Sequence, residues 1–217
     1  MATAPLATVP GATAPGLGTA GVTTPPAPAS ALTATGGTAH PSPIAHLGDP
    51  ILRQTVPPLA DPQAPAVQAL IADLLAHLGR GVGIAAPQIR QSLPVVIVAS
   101  HPNDRYPYAP QMDPLPLINP RIVDRSDRQV RDWEGCLSVP GLRGLVSRAQ
   151  WVEVEYWDPQ GQRQQQRFTD FVARIVQHEL DHLAGVVFVD RVAAGTDFMT
   201  EAEWRVRILG QDPPSAS

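Results

Sequence analysis

Apolar residues recur at three- and four-residue spacing along residues 61–79, at Val67, Leu70, Ile71, Leu74, Leu75 and Leu78. That repeat puts them on one face of a helix. Pro65 suits the first turn, where its missing N–H costs nothing, and Gly79 suits the stop. Residues 94–99, Pro-Val-Val-Ile-Val-Ala, form a short unbroken apolar run and predict a buried strand. Residues 117–123 predict a second, interrupted by Pro120. Along 151–157 the alternation is strict, with Val152, Val154 and Tyr156 on one side and Glu153 and Glu155 on the other. The turn residues Asp158-Pro159-Gln160-Gly161 then predict a hairpin with a strand over 162–168. Asp170 is placed to cap a helix over 171–183 that ends at Gly185. A strand over 186–189 and a short amphipathic helix over 200–209 complete the pattern. Residues 81–88 are expected as a glycine-rich loop, and 101–116, with five prolines, as an irregular one.

Hairpin-joined strands with grouped helices indicate an α+β fold, a single domain over 44–209 with a flexible end at 210–217. Residues 1–43 carry eight prolines, mostly Ala, Thr and Gly otherwise, and no charged or aromatic residue. Such a stretch cannot bury enough apolar area to offset its ordering entropy, so a disordered tail is expected. It has neither the basic and apolar regions of a secretory signal nor the arginines of a transit peptide.

Charge narrows the function. The chain has 16 basic residues against 20 acidic ones, and all the basic ones are arginine. That is not the footprint of a protein whose main ligand is nucleic acid. No apolar run reaches the length of a membrane span, so no membrane partner is expected. The one cysteine, Cys136, excludes an internal disulfide framework and fits a reducing compartment.

The strongest chemical signal is His178-Glu179-Leu180-Asp181-His182. On a helix, residues i and i+4 project from one face, so both imidazoles can reach one metal ion, and Glu179 lies close enough to take a proton from water. A catalytic metal usually takes a third protein ligand. Phe188 stands where metzincin proteases carry a third histidine and cannot ligate. Glu201 and Glu203 are available in the manner of thermolysin-like peptidases, and Cys136 is the remaining candidate. The histidines at 40, 46, 77 and 101 have no ligand spacing, and the four tryptophans read as packing residues.

Three separated segments resemble the signature motifs of peptide deformylases: GVGIAAPQ (81–88), EGCLS (134–138) and QHELDH (177–182). GDPILR (48–53), PGLRGLV (140–146) and HLAGVVFVDR (182–191) extend the likeness to residues 44–208. The resemblance implies antiparallel sheets packed around a central helix that bears HExxH. It implies one divalent metal held by Cys136, His178 and His182, Fe²⁺ as a rule, with Zn²⁺, Ni²⁺ or Co²⁺ able to replace it. Glu179 would be general base on the metal-held water, and Gln88 and the backbone N–H of Leu137 would stabilise the oxyanion. Val82, Gly83, Glu134, Gly135, Phe171, Ile175 and His178 would form the substrate pocket. The implied reaction is release of formate from the formylmethionine end of new polypeptides, at the ribosome in the cytoplasm. Glu134 is out of place in an apolar pocket, and an ion pair with Arg143 is expected to prop the metal loop.

Overall fold

The computed structural model describes residues 44–79 and 81–211; the expected tail over 1–43 and residues 212–217 lie outside them. The described residues belong to one compact unit. Helix α1 is Pro65–Leu78. Strands β1 (Gly83–Ala85), β2 (Val95–Val98), β3 (Leu115–Arg125), β4 (Gln129–Cys136), β5 (Val139–Ala149), β6 (Trp151–Trp157) and β7 (Arg163–Thr169) follow. Helix α2 (Asp170–Leu183), strand β8 (Phe198–Thr200) and helix α3 (Glu201–Arg207) end the order. The strands make a five-stranded sheet, β1-β2-β3-β6-β7, and a three-stranded one, β4-β5-β8, with every pairing antiparallel.

Strand β2 explains its own sequence. Val95 and Ile97 face the cluster built on α1, while Val96 and Val98 face the cluster built on α2. Both faces are covered, so no polar residue interrupts the run. In β6 only one side is covered: Val152, Val154 and Tyr156 are buried, and the glutamates point outward to arginines such as Arg121 and Arg163. Proline 120 sits within β3 at a register shift, where Asn119 adopts φ 50°. The Asn119 side chain accepts from the N–H of Leu59 and donates to its carbonyl at 3.0 and 2.8 Å, respectively, tying the irregularity to the preceding segment. Helix α2 lies between the sheets. Ala173, Ile175 and Val176 pack on the large one, and Arg174 and His178 reach strands of the small one.

Several expectations need correcting. Strands β4, β5 and β8 carry no hydrophobic pattern that announces them. The loop expected over 81–88 is partly strand β1 and partly a 3-10 turn, Ala86–Ile89. Asp170 does not cap α2; it is the first helical residue, at φ 50°, and its carboxylate accepts from Gln150 instead. The strand expected over 186–189 is absent: Phe188–Arg191 is a 3-10 turn, with the N–H of Val187 donating to the Asp190 carboxylate at 2.8 Å. Gly185 does end α2, at φ 73°, where a side chain would collide with the Arg53 backbone. At the C-terminal end, Gln211 donates to the carbonyl of Asp104 at 2.9 Å.

Candidate metal centre and active-site cleft

Helix α2 presents His178 and His182 on the side turned toward the small sheet, and the turn joining β4 to β5 brings Cys136 against them. One nitrogen from each imidazole and the Cys136 sulfur lie within 4.8 Å of one another; Sγ is 3.3 Å from Nε2 of His182. Burial would raise the thiol's pKa, but His182 and His178 hold it well below the ordinary cysteine range, so the thiolate is favoured. Two further donors point at the same sulfur, the N–H of Ser138 and the amide of Gln88, both at 3.4 Å.

The orientation of His178 is set from behind. Its Nδ1 is 2.9 Å from Glu134 Oε2, which leaves Nε2 free to ligate. Glu134 is buried, and its partners differ from the expected one. Arg148 approaches both carboxylate oxygens at 2.9 Å, and Arg174 donates at 2.7 Å. Burial pushes the Glu134 carboxyl up, but the Arg148 guanidinium outweighs it and keeps the group ionised well below the usual carboxylate range. Arg148 also reaches Asp181 at 2.5 Å, and Asp181 in turn accepts from Arg191. A buried ionic lattice therefore fixes β4, β5 and α2 around the imidazole.

The expected ion pair between Glu134 and Arg143 is not formed. Arg143 lies on the other face of β5, donating to Glu201 at 2.6 and 3.1 Å and to the Tyr106 hydroxyl at 2.6 Å. Its guanidinium still backs the metal loop by contact, because a Cβ on Gly135 would come within 2.8 Å of it. Glu201 and Glu203, the alternative third ligands, are committed elsewhere: Glu201 to Arg143 and Glu203 to Arg207.

Glu179 is buried, and its Oε2 meets no protein donor among the described residues. Burial pushes its carboxyl up to about 7, against the pull of the two imidazoles. Gly83 faces it, and a Cβ there would overlap the Glu179 carboxylate. A glycine at this place lets strand β1 run directly past the acid. Gln88 is buried beside it. Its carbonyl oxygen accepts from the N–H of Ala85 at 2.8 Å, which turns its NH₂ toward Cys136 and Ser138.

These groups open on one cleft. Every residue expected in the substrate pocket lines it: Val82, Gly83, Glu134, Gly135, Phe171, Ile175 and His178, together with Gln88, Leu137 and Glu179. His182 sits fully buried behind, and Arg143 is outside. Tyr106, Trp133 and Arg174 also line the cleft and were not anticipated. Arg174 was readable, since it precedes His178 by one helical turn on the same face. Tyr106 comes from the proline-rich loop and carried no signal.

The donor set fits a metal. One thiolate and two imidazoles within mutual reach suit a borderline-soft divalent ion such as Zn²⁺ or Fe²⁺, with the back of His178 already anchored.

The family model for polypeptide deformylase matches residues 41–197. Peptide deformylase 2 of Nostoc sp. is 53% identical over 165 residues, covering 75% of this chain and 92% of the relative. Peptide deformylase 1 of Bordetella pertussis is 45% identical over 158 residues, covering 71% and 89%. Among solved structures, a class I type b peptide deformylase from Acinetobacter baumannii with bound Met-Ala-Ser is similar. It has a TM-score of 0.67 and 44% identity, covering 69% of this chain and 97% of that one. The Thermotoga maritima peptide deformylase matches with a TM-score of 0.64 at 28% identity, covering 72% and 100%.

Proposed function

The chain belongs to the polypeptide deformylase family, and we propose that it removes the formyl group from formylmethionyl peptides with Glu179 moving the protons. It is a metal-dependent hydrolase acting on nascent formylated peptides. The convergence of Cys136, His178 and His182 beside the buried Glu179 carboxylate, whose Oε2 has no partner among the described residues, carries this reading.

Three residues would hold the ion, Cys136, His178 and His182. The metal, when bound, supplies a Lewis acid for hydrolysis of the formamide. Glu179 takes a proton from the attacking water and delivers it to the departing amine, so that water and formamide become formate and a free N-terminus. A carboxyl raised to about 7 can both accept and return a proton near neutral pH. As the carbonyl becomes tetrahedral, negative charge grows on its oxygen, and the Gln88 NH₂ and the Leu137 N–H are the donors for it. Gln88 is held for this by the Ala85 N–H rather than by substrate, so little reorganisation is needed. Val82, Phe171 and Ile175 supply apolar contact for the methionine side chain. Gly83 keeps the backbone of β1 close to Glu179 and to the peptide.

Fe²⁺ is the proposed ion, the new polypeptide end at the ribosome the proposed substrate setting, and the cytoplasm the proposed place. Among the described residues no helix is long and apolar enough to cross a membrane. The test is formate release from a short formyl-Met peptide by anaerobically purified protein of known metal content. Release is expected from the natural chain and should fall by 10²-fold or more in Glu179→Gln. A folded, metal-loaded Glu179→Gln protein with undiminished turnover would remove the assigned role.

A further inference from the structure

Tyr106 belongs to the segment between β2 and β3, outside every motif that marks the family in this chain. It is nonetheless 8% exposed and lines the cleft. Its ring centroid is 5.0 Å from that of Phe171, at an interplanar angle of 52°. Its hydroxyl accepts from the Arg143 guanidinium at 2.6 Å. That guanidinium is fully buried and pinned on three sides. Glu201 takes two of its N–H groups, the Trp204 ring lies 4.1 Å beneath it, and the backbone of Gly135 closes over it.

Two residues that line the cleft therefore meet at one charged group. Gly135 is on the metal loop, and Tyr106 leans on Phe171. A phenol on a free loop would be free to swing away. Here its oxygen is held by a cation that has no room to move. We propose that Tyr106 is a specificity-determining residue, setting the width of the pocket that receives the first side chain of the formyl peptide, and that Arg143 is the positioning residue that keeps it in place. The proposal rests on the deformylase reading and adds to it a residue that this reading does not use. Tyr108, half exposed, packs edge-on against Phe171 at 5.5 Å from the outer side, so the ring between them is braced while Tyr106 is the wall that substrate meets.

The experiment compares kcat/KM for formyl-Met and formyl-Phe peptides in the natural chain, Tyr106→Ala and Tyr106→Phe. The width of an apolar pocket is worth on the order of tenfold in discrimination. Tyr106→Ala should lower the formyl-Met to formyl-Phe ratio by about that factor, chiefly through KM, with kcat for formyl-Met within a few-fold. Tyr106→Phe keeps the ring but releases it from Arg143, and a smaller loss of discrimination in the same direction is expected. An unchanged ratio in Tyr106→Ala would overturn the proposal, as would a uniform fall in kcat for both peptides. If Tyr106→Ala does not fold, Tyr106→Leu decides on the same ratio. Failure of the natural chain itself to release formate from either peptide would count against the deformylase reading and is distinct from an unchanged ratio.

Discussion

Glu134 binds two guanidiniums and an imidazole while almost wholly out of water, so its charge supports both fold and metal site. Replacing it by glutamine would leave Arg148 and Arg174 buried around a neutral group and change what His178 Nδ1 faces. Glu134→Gln is therefore expected to lose about 3–5 kcal/mol of stability and roughly 10- to 100-fold in metal affinity, read by thermal unfolding and by competition with a chelator. A variant matching the natural chain in both would show the lattice to be incidental. The two histidines were legible in the sequence because helix geometry converts their spacing directly into a shared face, and Glu179 because it stands one step round from them. The partner of Glu134 was not. Arg143 and Arg148 are an odd number of positions apart on one strand, so they point to opposite faces of it. Only Arg148 shares the face of Glu134, and choosing between them needs the strand to be recognised first.

The elements that escaped recognition share a cause. In β4 and β5 several inward positions are ionic, Glu134 and Arg148 among them, so the usual reading of polar as outward is inverted. Strands β2 and β6 were plain because their buried faces are apolar. The run over 186–189 misled for the opposite reason: Val187 and Phe188 are buried at a turn that Asp190 closes. Helix α3 is short, yet Glu201 and Trp204 make it a fixture of the small sheet. Burial pushes the Glu201 carboxyl up, but Arg143 overrides this and holds it below the usual range. A depressed carboxyl stabilises the fold above its unfolded value and loses that contribution as pH falls through the folded one. Glu201→Gln should thus cost on the order of 2 kcal/mol near pH 7. The gap to the natural chain should begin to narrow as pH falls below the ordinary glutamate value of about 4.3 and close only once pH is below the depressed value in the folded state, where both carry a neutral group. Denaturant unfolding at several pH values tests this; a gap that stays constant with pH would exclude the ionic explanation.

At the scale of the whole molecule, the α+β class was legible from period and grouping, the antiparallel sheets around the HExxH helix only through the resemblance to peptide deformylases, and the division into two sheets not at all. The candidate metal ligands straddle that division, two from α2 and one from the last residue of β4, so a bound ion would tie the small sheet to the helix. Stripping the metal should lower the melting temperature, and restoring a divalent ion should raise it again by mass action. Cys136→Ala should melt at one temperature with or without added ion. If the natural chain melts identically stripped and loaded, the three residues do not hold the ion as a unit.

The order β1-β2-β3-β6-β7 also means that the chain leaves the large sheet after β3, builds the β4–β5 hairpin, and comes back to lay β6 against β3. The thiol ligand thus travels on an excursion whose own pairing is local, while the histidines belong to the helix that the large sheet seats. Amide protons of β2 are then expected to exchange with solvent only when the whole molecule opens, and those of β4 and β5 through a smaller opening that undocks the hairpin from α2. An ion held by Cys136, His178 and His182 would bridge these two regions, so its departure would be felt first as faster exchange along the hairpin, with the heart of the large sheet still closed.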